Sequence, residues 1–255
     1  RRYGPIFQAE GVTLAVMPFR DLSGDPAEAY FTYGVREELA GDMRTIPRIR
    51  LIVSQTPAPS QAKSAAEIGR DLRASHVVDG SVRRIVNQVR IEVRVTDSSS
   101  GKVTWEDHAT GDVSTIPRMC VKLAIGVARG VGIRVRPDER RKLAVRDLVK
   151  ADSIFFFWRG LYHFSRFTDG DLAAARDHFE RAVAIDSRID WGWAMLAHCY
   201  FHLAYRGVVP VPEATTKAEE AIERAVALDR SAHLGTKGMV SGMLQWKWSA
   251  AGLEL

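Results

Sequence analysis

Two similar nine-residue strings, identical at six of their nine positions, constrain the fold of this chain more than any other feature of its sequence. FERAVAIDS occupies 179–187 and IERAVALDR occupies 222–230, 43 residues further on. Each follows a segment rich in aromatic residues, FFFWRGLYHF in the first case and WGWAMLAHCYFHLAY in the second. A pattern that recurs every 30 to 50 residues or so is typical of stacked helical hairpins. Residues 151–255 therefore predict an all-α array with two complete repeats and a truncated third.

The first half of the chain has a different periodicity, in which strand and helix signals alternate. The apolar run at 11–17 is closed by Pro18 and predicts a buried strand. A helix is predicted at 26–46, a second strand at 50–54 and a short helix at 64–72.

The stretch 76–110 predicts an antiparallel meander of three strands, because polar and apolar residues alternate in it. Its turns are predicted at Asn87–Gln88 and at 98–101, and a helix from Ser114 to Val131 follows. The order β-α-β-α-β-β-β-α predicts an α+β domain with a mixed sheet over 12–133.

The loop Ser23-Gly24-Asp25 joins the first predicted strand to the first predicted helix and invites comparison with a phosphate-binding loop. A phosphate cradle needs several glycines and often a lysine. This loop has one glycine and no lysine, and its Asp25 carboxylate would repel an anion. The sequence therefore favours a turn in which Asp25 caps the helix and Glu28 completes a capping box.

Much of the net charge of +5 comes from 134–150, RVRPDERRKLAVRDLVK, which holds seven Lys/Arg and three Asp/Glu. Such a run can bind nucleic acid or anionic lipid. The interspersed acidic residues and the absence of aromatic residues favour a solvated linker or helix between two domains. We therefore predict a basic linker or helix at 134–150 and no direct contact with nucleic acid.

The ends and the cysteines of the chain indicate its setting. Residues 1–11 lack Met and predict a linker from an absent upstream domain, and the C-terminal WSAAGLEL stops within a helical pattern. Cys120 and Cys199 lie 79 residues apart without a CxxC partner, which favours a reducing, cytoplasmic setting. No apolar run reaches the roughly 18 residues of a membrane span.

The repeats in the second half resemble tetratricopeptide repeats (TPRs). The family pattern falls on Phe156, Gly160, Ala175, Phe179 and Ala182, and again on Trp193, Leu196, Ala197, Tyr200, Ala218, Ile222, Ala225 and Asp229. The resemblance implies a concave groove that binds a protein or peptide partner. By the repeat register the groove is lined by Ile154, Phe157, Leu161, Phe164, Trp191, His198, Phe201, His202 and Met239.

The predicted groove is apolar and aromatic, so it is suited to an amphipathic helix or a hydrophobic segment. The alternative is that this face packs against the chain's own N-terminal domain or against further repeats.

The first half resembles the TolB-like amino-terminal domain of bacterial signalling proteins. The matching strings are LAVMPFRDLSGDPAEAYFTYGVREEL, SAAEIGRDLRASHVVDGSVRR and VRIEVRVTDSSSGKVTWEDHATGDV. This pair of domains is similar to the C-terminal regions of two kinds of bacterial protein, class III adenylate/guanylate cyclases and winged-helix transcriptional regulators.

Three functions follow from these resemblances. The first is a non-catalytic regulatory and protein-interaction module; the second is the regulatory part of a cyclase; the third is the effector part of a winged-helix regulator. Neither the paired metal-binding aspartates of a cyclase nor a nucleophile motif can be assigned. We therefore predict no catalytic residues, no cofactor and no enzymatic activity from this chain.

His198 and His202 have the i, i+4 spacing of a metal-binding pair, for which His163 or His178 could supply a third ligand. Cys199 stands where HExxH has its Glu, so the metalloprotease motif is absent. The sequence favours histidines that line the TPR groove, and we predict no metal site.

Overall fold

The structure is a computed structural model that describes residues 11–25, 28–54, 63–145, 149–230, 233–238, 240 and 242. The chain divides into two compact units, Arg1–Leu148 and Val149–Leu255. Among the described residues, no helix has the length and apolar character that crossing a membrane requires.

The first unit is built on one six-stranded mixed sheet. Its strands are β1 (Val12–Val16), β2 (Arg20–Asp21), β3 (Ile49–Val53), β4 (His76–Ile85), β5 (Gln88–Asp97) and β6 (Val103–Asp112). The order is β3-β1-β4-β5-β6, and the short β2 pairs with β4. β1 is parallel to β3 and β4, whereas β4, β5 and β6 form an antiparallel meander. The predicted α+β class is therefore confirmed, and β2 is an addition to it.

One turn of the meander differs from the prediction. β4 ends at Ile85 and β5 begins at Gln88, so the turn residues are Val86 and Asn87 rather than Asn87 and Gln88. Val86 has a φ of 54°, in the left-handed region that a β-branched residue rarely adopts. The register of ten cross-strand pairs from His76–Asp97 to Ile85–Gln88 fixes the turn there.

Among the described residues of the first unit are four α-helices, three of which pack on the sheet. They are α1 (Ala29–Arg44), α2 (Ala65–Leu72), α3 (Ile116–Gly130) and α4 (Pro137–Val145). The apolar residues that predicted α1 are buried in it: Tyr30, Phe31, Val35, Leu39 and Met43. α1 contacts α3 and β3, and α3 contacts β6. Ile68 of α2 packs with Ala15, Met17, Ala74 and Val77, on the other side of β1 from Leu14 and Val16.

Glu28 does not complete the predicted capping box. α1 begins at Ala29, with Glu28 in the cap position and no side-chain capping hydrogen bond. The Glu28 carboxylate instead accepts from the Arg84 guanidinium at 2.5 Å. The local sequence pattern predicted that the Glu28 carboxylate would cap the helix, but this carboxylate forms an ion pair with Arg84 of β4 instead. The capping box of this unit lies at Ser64 and Glu67, at the start of α2.

Ser23 and Gly24 form a turn fastened to the sheet. The Ser23 N–H donates to Asp21 Oδ1 at 2.8 Å, and the Arg84 N–H donates to Ser23 Oγ at 3.0 Å. Gly24 has a φ of 84°, which glycine adopts without strain. These contacts support the turn interpretation over the phosphate-cradle interpretation.

The basic run 134–150 is only partly a linker. Pro137–Val145 forms α4, in which Leu143 is fully buried and Glu139 is 3% exposed. The Glu139 carboxylate accepts from the Arg48 guanidinium at 2.7 Å and from the Arg136 N–H at 2.7 Å. α4 is therefore packed on the first unit at the start of β3.

Between Ala151 and Leu228, the second unit contains two pairs of helices of similar length. They are α5 (Ala151–Arg166), α6 (Asp169–Ile185), α7 (Asp190–Tyr205) and α8 (Val211–Leu228). Each helix contacts the next along the chain, most closely α5 with α6 and α7 with α8. α6 and α8 end alike: Asp186 and Asp229 have φ, ψ of −143°, 102° and −141°, 94°. The two nine-residue strings therefore have the same local structure.

Asp186 ties the base of the first helix pair together. Its carboxylate accepts from the Lys150 N–H at 3.2 Å and from the Arg188 guanidinium at 2.9 and 2.7 Å. The Arg188 guanidinium holds the pKa of Asp186 well below its ordinary value, against the opposing effect of burial.

We expect the stability of the second unit to fall in acid because of Asp186. An unfolded aspartate takes up its proton near about pH 3.9, whereas Asp186 in the folded unit resists protonation. Its contribution is thus present above about pH 4 and lost as the pH falls towards the lower folded-state pKa. Urea unfolding between pH 7 and pH 2 should show this decline, and Asp186→Asn should flatten it. Exposed Asp177→Asn is the control; an equal flattening there would contradict the assignment.

Candidate functional site

The structure places most of the predicted groove residues on adjoining faces of α5 and α7. Ile154 and Phe157 are buried, at 3% and 7% exposure, and are not open to a partner. The half-buried residues are Leu161, Phe164, Trp191, His198, Phe201 and His202. Met239 lies outside the described residues. The Phe157 and Trp191 rings meet edge to face at 6.1 Å.

Five rings form a cluster at the C-terminal ends of α5 and α7. We call Phe164, Phe167, Phe201, His202 and Tyr205 the aromatic surface. The His202 ring lies 5.6 Å from Phe164, 4.8 Å from Phe167 and 4.9 Å from Phe201. Phe167 is 43% exposed and Tyr205 is 62% exposed. These large apolar side chains present a continuous patch of rings to solvent.

Phe167 and Tyr205 were not among the residues predicted from the sequence. Phe167 follows α5 with a φ of 58°, so this phenylalanine ends the helix in a left-handed conformation. Tyr205 packs on Phe201 at 6.3 Å, one helical turn further along α7. The spacing of Phe201 and Tyr205 could have indicated Tyr205, whereas the position of Phe167 depends on how the helix ends.

The centre of the aromatic surface is electrically neutral. Burial, with smaller effects of His198 and Arg206, lowers the pKa of His202 below its ordinary value, and burial does the same for His198. Both imidazoles are therefore uncharged at neutral pH. Charged side chains lie at the edge of the aromatic surface. There the Arg206 guanidinium donates to the Asp169 carboxylate and lies over the Phe167 ring at 5.8 Å.

The opposite side of α7 faces a second concavity. Pockets that bind small ligands usually have volumes of about 300–1,000 Å³, and the cavity between α6, α7 and α8 has a volume of ≈ 370 Å³. Trp193, which belongs to the TPR pattern, is half-buried there. Its indole N–H donates to the Ser187 carbonyl at 3.0 Å, and Arg224 lies 4.7 Å from its ring. Tyr200 donates to Glu180 at 2.5 Å.

The four histidines considered as metal ligands do not gather into a metal-binding group among the described residues. His163 stacks on His178 at 5.4 Å and contacts Asp171 through Nδ1 at 2.8 Å. His198 and His202 lie in α7 among the groove residues. Within the part of the chain that the structure describes, no group of three or more His, Cys, Asp or Glu could hold a metal ion.

No protein-family model matches the chain. A curated protein of Rhizobium meliloti (strain 1021), named "Putative adenylate cyclase 3", is 23% identical over 218 residues. The match covers 83% of this chain and 37% of that protein. The chain thus spans little more than a third of the length of this curated relative.

Three solved structures that resemble the chain cover about half of it or less. TolB from Acinetobacter baumannii is 13% identical, with a TM-score of 0.37, over 48% of this chain and 28% of TolB. A PelC dodecamer from Paraburkholderia phytofirmans is 21% identical, with a TM-score of 0.36, over 49% and 91% of the two chains. Lipoprotein GNA1162 from Neisseria meningitidis is 17% identical, with a TM-score of 0.34, over 40% and 80%. The chain is thus similar in part to TolB and to lipoproteins, and at 23% identity to one cyclase relative.

Proposed function

We propose that this chain is a non-catalytic regulatory and protein-interaction part of a bacterial, cytosolic signalling protein. Its second unit is a TPR array, and the aromatic surface binds one face of an amphipathic helix. The observation that carries this proposal is the aromatic surface itself: five rings gathered from two helices and the residue after one of them, of which two are largely exposed.

The repeat assignment is supported by the packing within the helix pairs. A Cβ added to Gly160 of α5 would lie 2.5 Å from the Phe179 ring of α6. Only glycine allows these two helices to approach so closely, and Gly160 and Phe179 are positions of the TPR pattern. The matching ends of α6 and α8 at Asp186 and Asp229 support the same assignment.

The chemistry of the surface sets the kind of partner. Aromatic rings around a neutral imidazole offer neither the cations that a terminal carboxylate needs nor a ladder of backbone groups for an added strand. They suit apolar side chains repeated at i, i+3, i+4 and i+7 along a helix. The Arg206–Asp169 ion pair at the rim can contact the polar flank of such a helix.

The test uses helical peptides selected from a display library for binding to the 255-residue chain. We expect the selected peptides to share an apolar face, and Phe201→Ala to raise their Kd about 30-fold, the equivalent of about 2 kcal/mol. Leu228→Ala is the control, because Leu228 of α8 is also an exposed apolar residue, at 47% exposure. If Leu228→Ala weakens binding as much, or if folded Phe201→Ala binds the peptides as tightly as the unchanged chain, the aromatic surface is not the binding site.

A second proposal is that the chain regulates a cyclase, and the cyclase-named relative favours it. The chain would then change the catalytic rate of a cyclase domain elsewhere in the same protein. We expect deletion of the matching region from the Rhizobium meliloti relative to change its cyclic AMP production, and the 255-residue chain alone to produce none. An unchanged rate after deletion, with the remaining domain folded, would contradict the regulatory role.

A further inference from the structure

Six basic side chains of the first unit lie on helix α4 or on segments that the Arg48–Glu139 contact brings near it. Arg44 ends α1, Arg50 lies in β3, and Arg134 precedes α4, which itself carries the remaining three. All six are exposed. We call them the α4 basic surface: Arg44, Arg50, Arg134, Arg140, Arg141 and Lys142.

Arg48 joins these segments. Its guanidinium donates to Glu139 of α4 at 2.7 Å and to the Arg134 carbonyl at 3.0 Å. Arg44 precedes Arg48 by four residues and Arg50 follows it by two, so the end of α1 and the start of β3 lie beside α4. Buried Leu143 anchors the same helix.

The positive charge of the surface is not neutralised within the unit. Glu139 is 3% exposed and is engaged by Arg48 and Arg136. Burial opposes ionisation of Glu139, but the Arg136 N–H and the Arg48 guanidinium overcome it and lower the pKa of the carboxyl. In α4 the exposed carboxylate is that of Asp138. Among the described residues, none of the six cations forms a salt bridge.

We propose that the α4 basic surface binds the phosphate backbone of duplex nucleic acid without reading its sequence. Five of its six cations are arginines, whose planar guanidinium matches a phosphate in a bidentate geometry. Binding of this kind is dominated by the release of counterions from the phosphates. The sequence alone predicted no such contact, because the linear run 134–150 does not reveal that Arg44 and Arg50 join it and that Glu139 is engaged internally.

Two other anionic partners fit the surface less well. Base stacking on a single strand needs aromatic side chains, and the chain has no Phe, Tyr or Trp between Trp105 and Phe155 and none from Arg44 to Val53. Insertion into a membrane surface needs exposed large apolar side chains. The described residues of 44–54 and 129–144, which include the α4 basic surface, contain no exposed large apolar side chain. Of these three anionic partners, a rigid duplex with regularly spaced phosphates fits the α4 basic surface best.

The test measures binding of a labelled 24-base-pair DNA duplex of mixed sequence to the 255-residue chain. With about six phosphate contacts, the affinity should fall about a thousandfold between 50 and 200 mM salt. The charge reversal Arg140→Glu/Arg141→Glu/Lys142→Glu should raise the Kd about tenfold or more and reduce the salt slope by about three. Arg140→Gln/Arg141→Gln/Lys142→Gln should act in the same direction while disturbing the fold less.

The matched control is Arg70→Glu/Arg83→Glu/Lys102→Glu, which changes the net charge equally at exposed basic residues of α2, β4 and the β5–β6 turn. We expect it to leave both the Kd and the salt slope near those of the unchanged chain. The proposal is overturned if the duplex is not bound at 50 mM salt, or if the control weakens binding as much. Stronger binding to phosphatidylserine vesicles, to polyglutamate or to the matching single strand, lost in the α4 variants, would also overturn it.

Discussion

Replacement of Phe179 by alanine is expected to lower the free energy of unfolding of the second unit by about 3–5 kcal/mol. Phe179 of α6 is fully buried. Its ring lies 5.5 Å from that of Phe157 and directly against Gly160 of α5. Because glycine has no side chain that could move into the space, truncation leaves a cavity between the two helices. Urea unfolding of the chain, followed by circular dichroism, measures the loss.

Tyr205→Ala is the control for this experiment, because Tyr205 is 62% exposed. We expect it to change the free energy of unfolding by less than about 1 kcal/mol. Gly160→Ala should destabilise the unit from the other side of the same contact, since its new methyl group meets the Phe179 ring. Comparable losses for Phe179→Ala and Tyr205→Ala would show that α5 and α6 do not pack as described.

Replacement of Gly126 by leucine is expected to destabilise the first unit by about 3 kcal/mol, at the upper end of what overpacking usually does. The Trp105 ring of β6 lies across α3 at Gly126 and Gly130. A Cβ at Gly126 would lie 2.2 Å from this ring, and one at Gly130 would lie 2.4 Å from the Trp105 side chain. A larger residue therefore has to displace the indole from the helix. Thermal and urea unfolding measure the loss, and tryptophan fluorescence reports the displaced ring.

Whether a glycine-to-alanine change raises or lowers the free energy of unfolding distinguishes the effect of the Trp105 contact from the effect of helix propensity. Alanine in place of glycine within an unobstructed helix stabilises by up to about 1 kcal/mol. Gly170 of α6 has no atom within 4 Å of its added Cβ, so Gly170→Ala should be neutral or stabilising. Gly126→Ala should destabilise. A stabilising Gly126→Ala would mean that Trp105 does not pack on α3.

The main elements could be predicted because their signals are local. The apolar residues of α1 recur at helical spacing and are buried, and the alternation in 76–110 gave the three strands of the meander. Ser64 and Glu67 form a capping box at the start of the short second helix, as the local pattern permits. The aromatic spacing of α5 and α7 also indicated that Phe164 and His202 share a face, and their rings lie 5.6 Å apart.

What the sequence did not reveal concerns partners that are distant along the chain. Glu28 had the spacing of a capping residue, yet it pairs with Arg84, 56 residues away. The basic run has the composition of a linker, yet its Glu139 is held by Arg48, 91 residues away and close in sequence to Arg44 and Arg50.

The sequence by itself determined the elements of this protein, because periodicity and turn chemistry act over a few residues. The tertiary structure decided which charged and aromatic side chains meet. A carboxylate or a ring is compatible with many local positions, and its partner is selected only when strands and helices from distant segments pack together. That is why the aromatic surface gained Phe167, and why the α4 basic surface exists only in the folded unit.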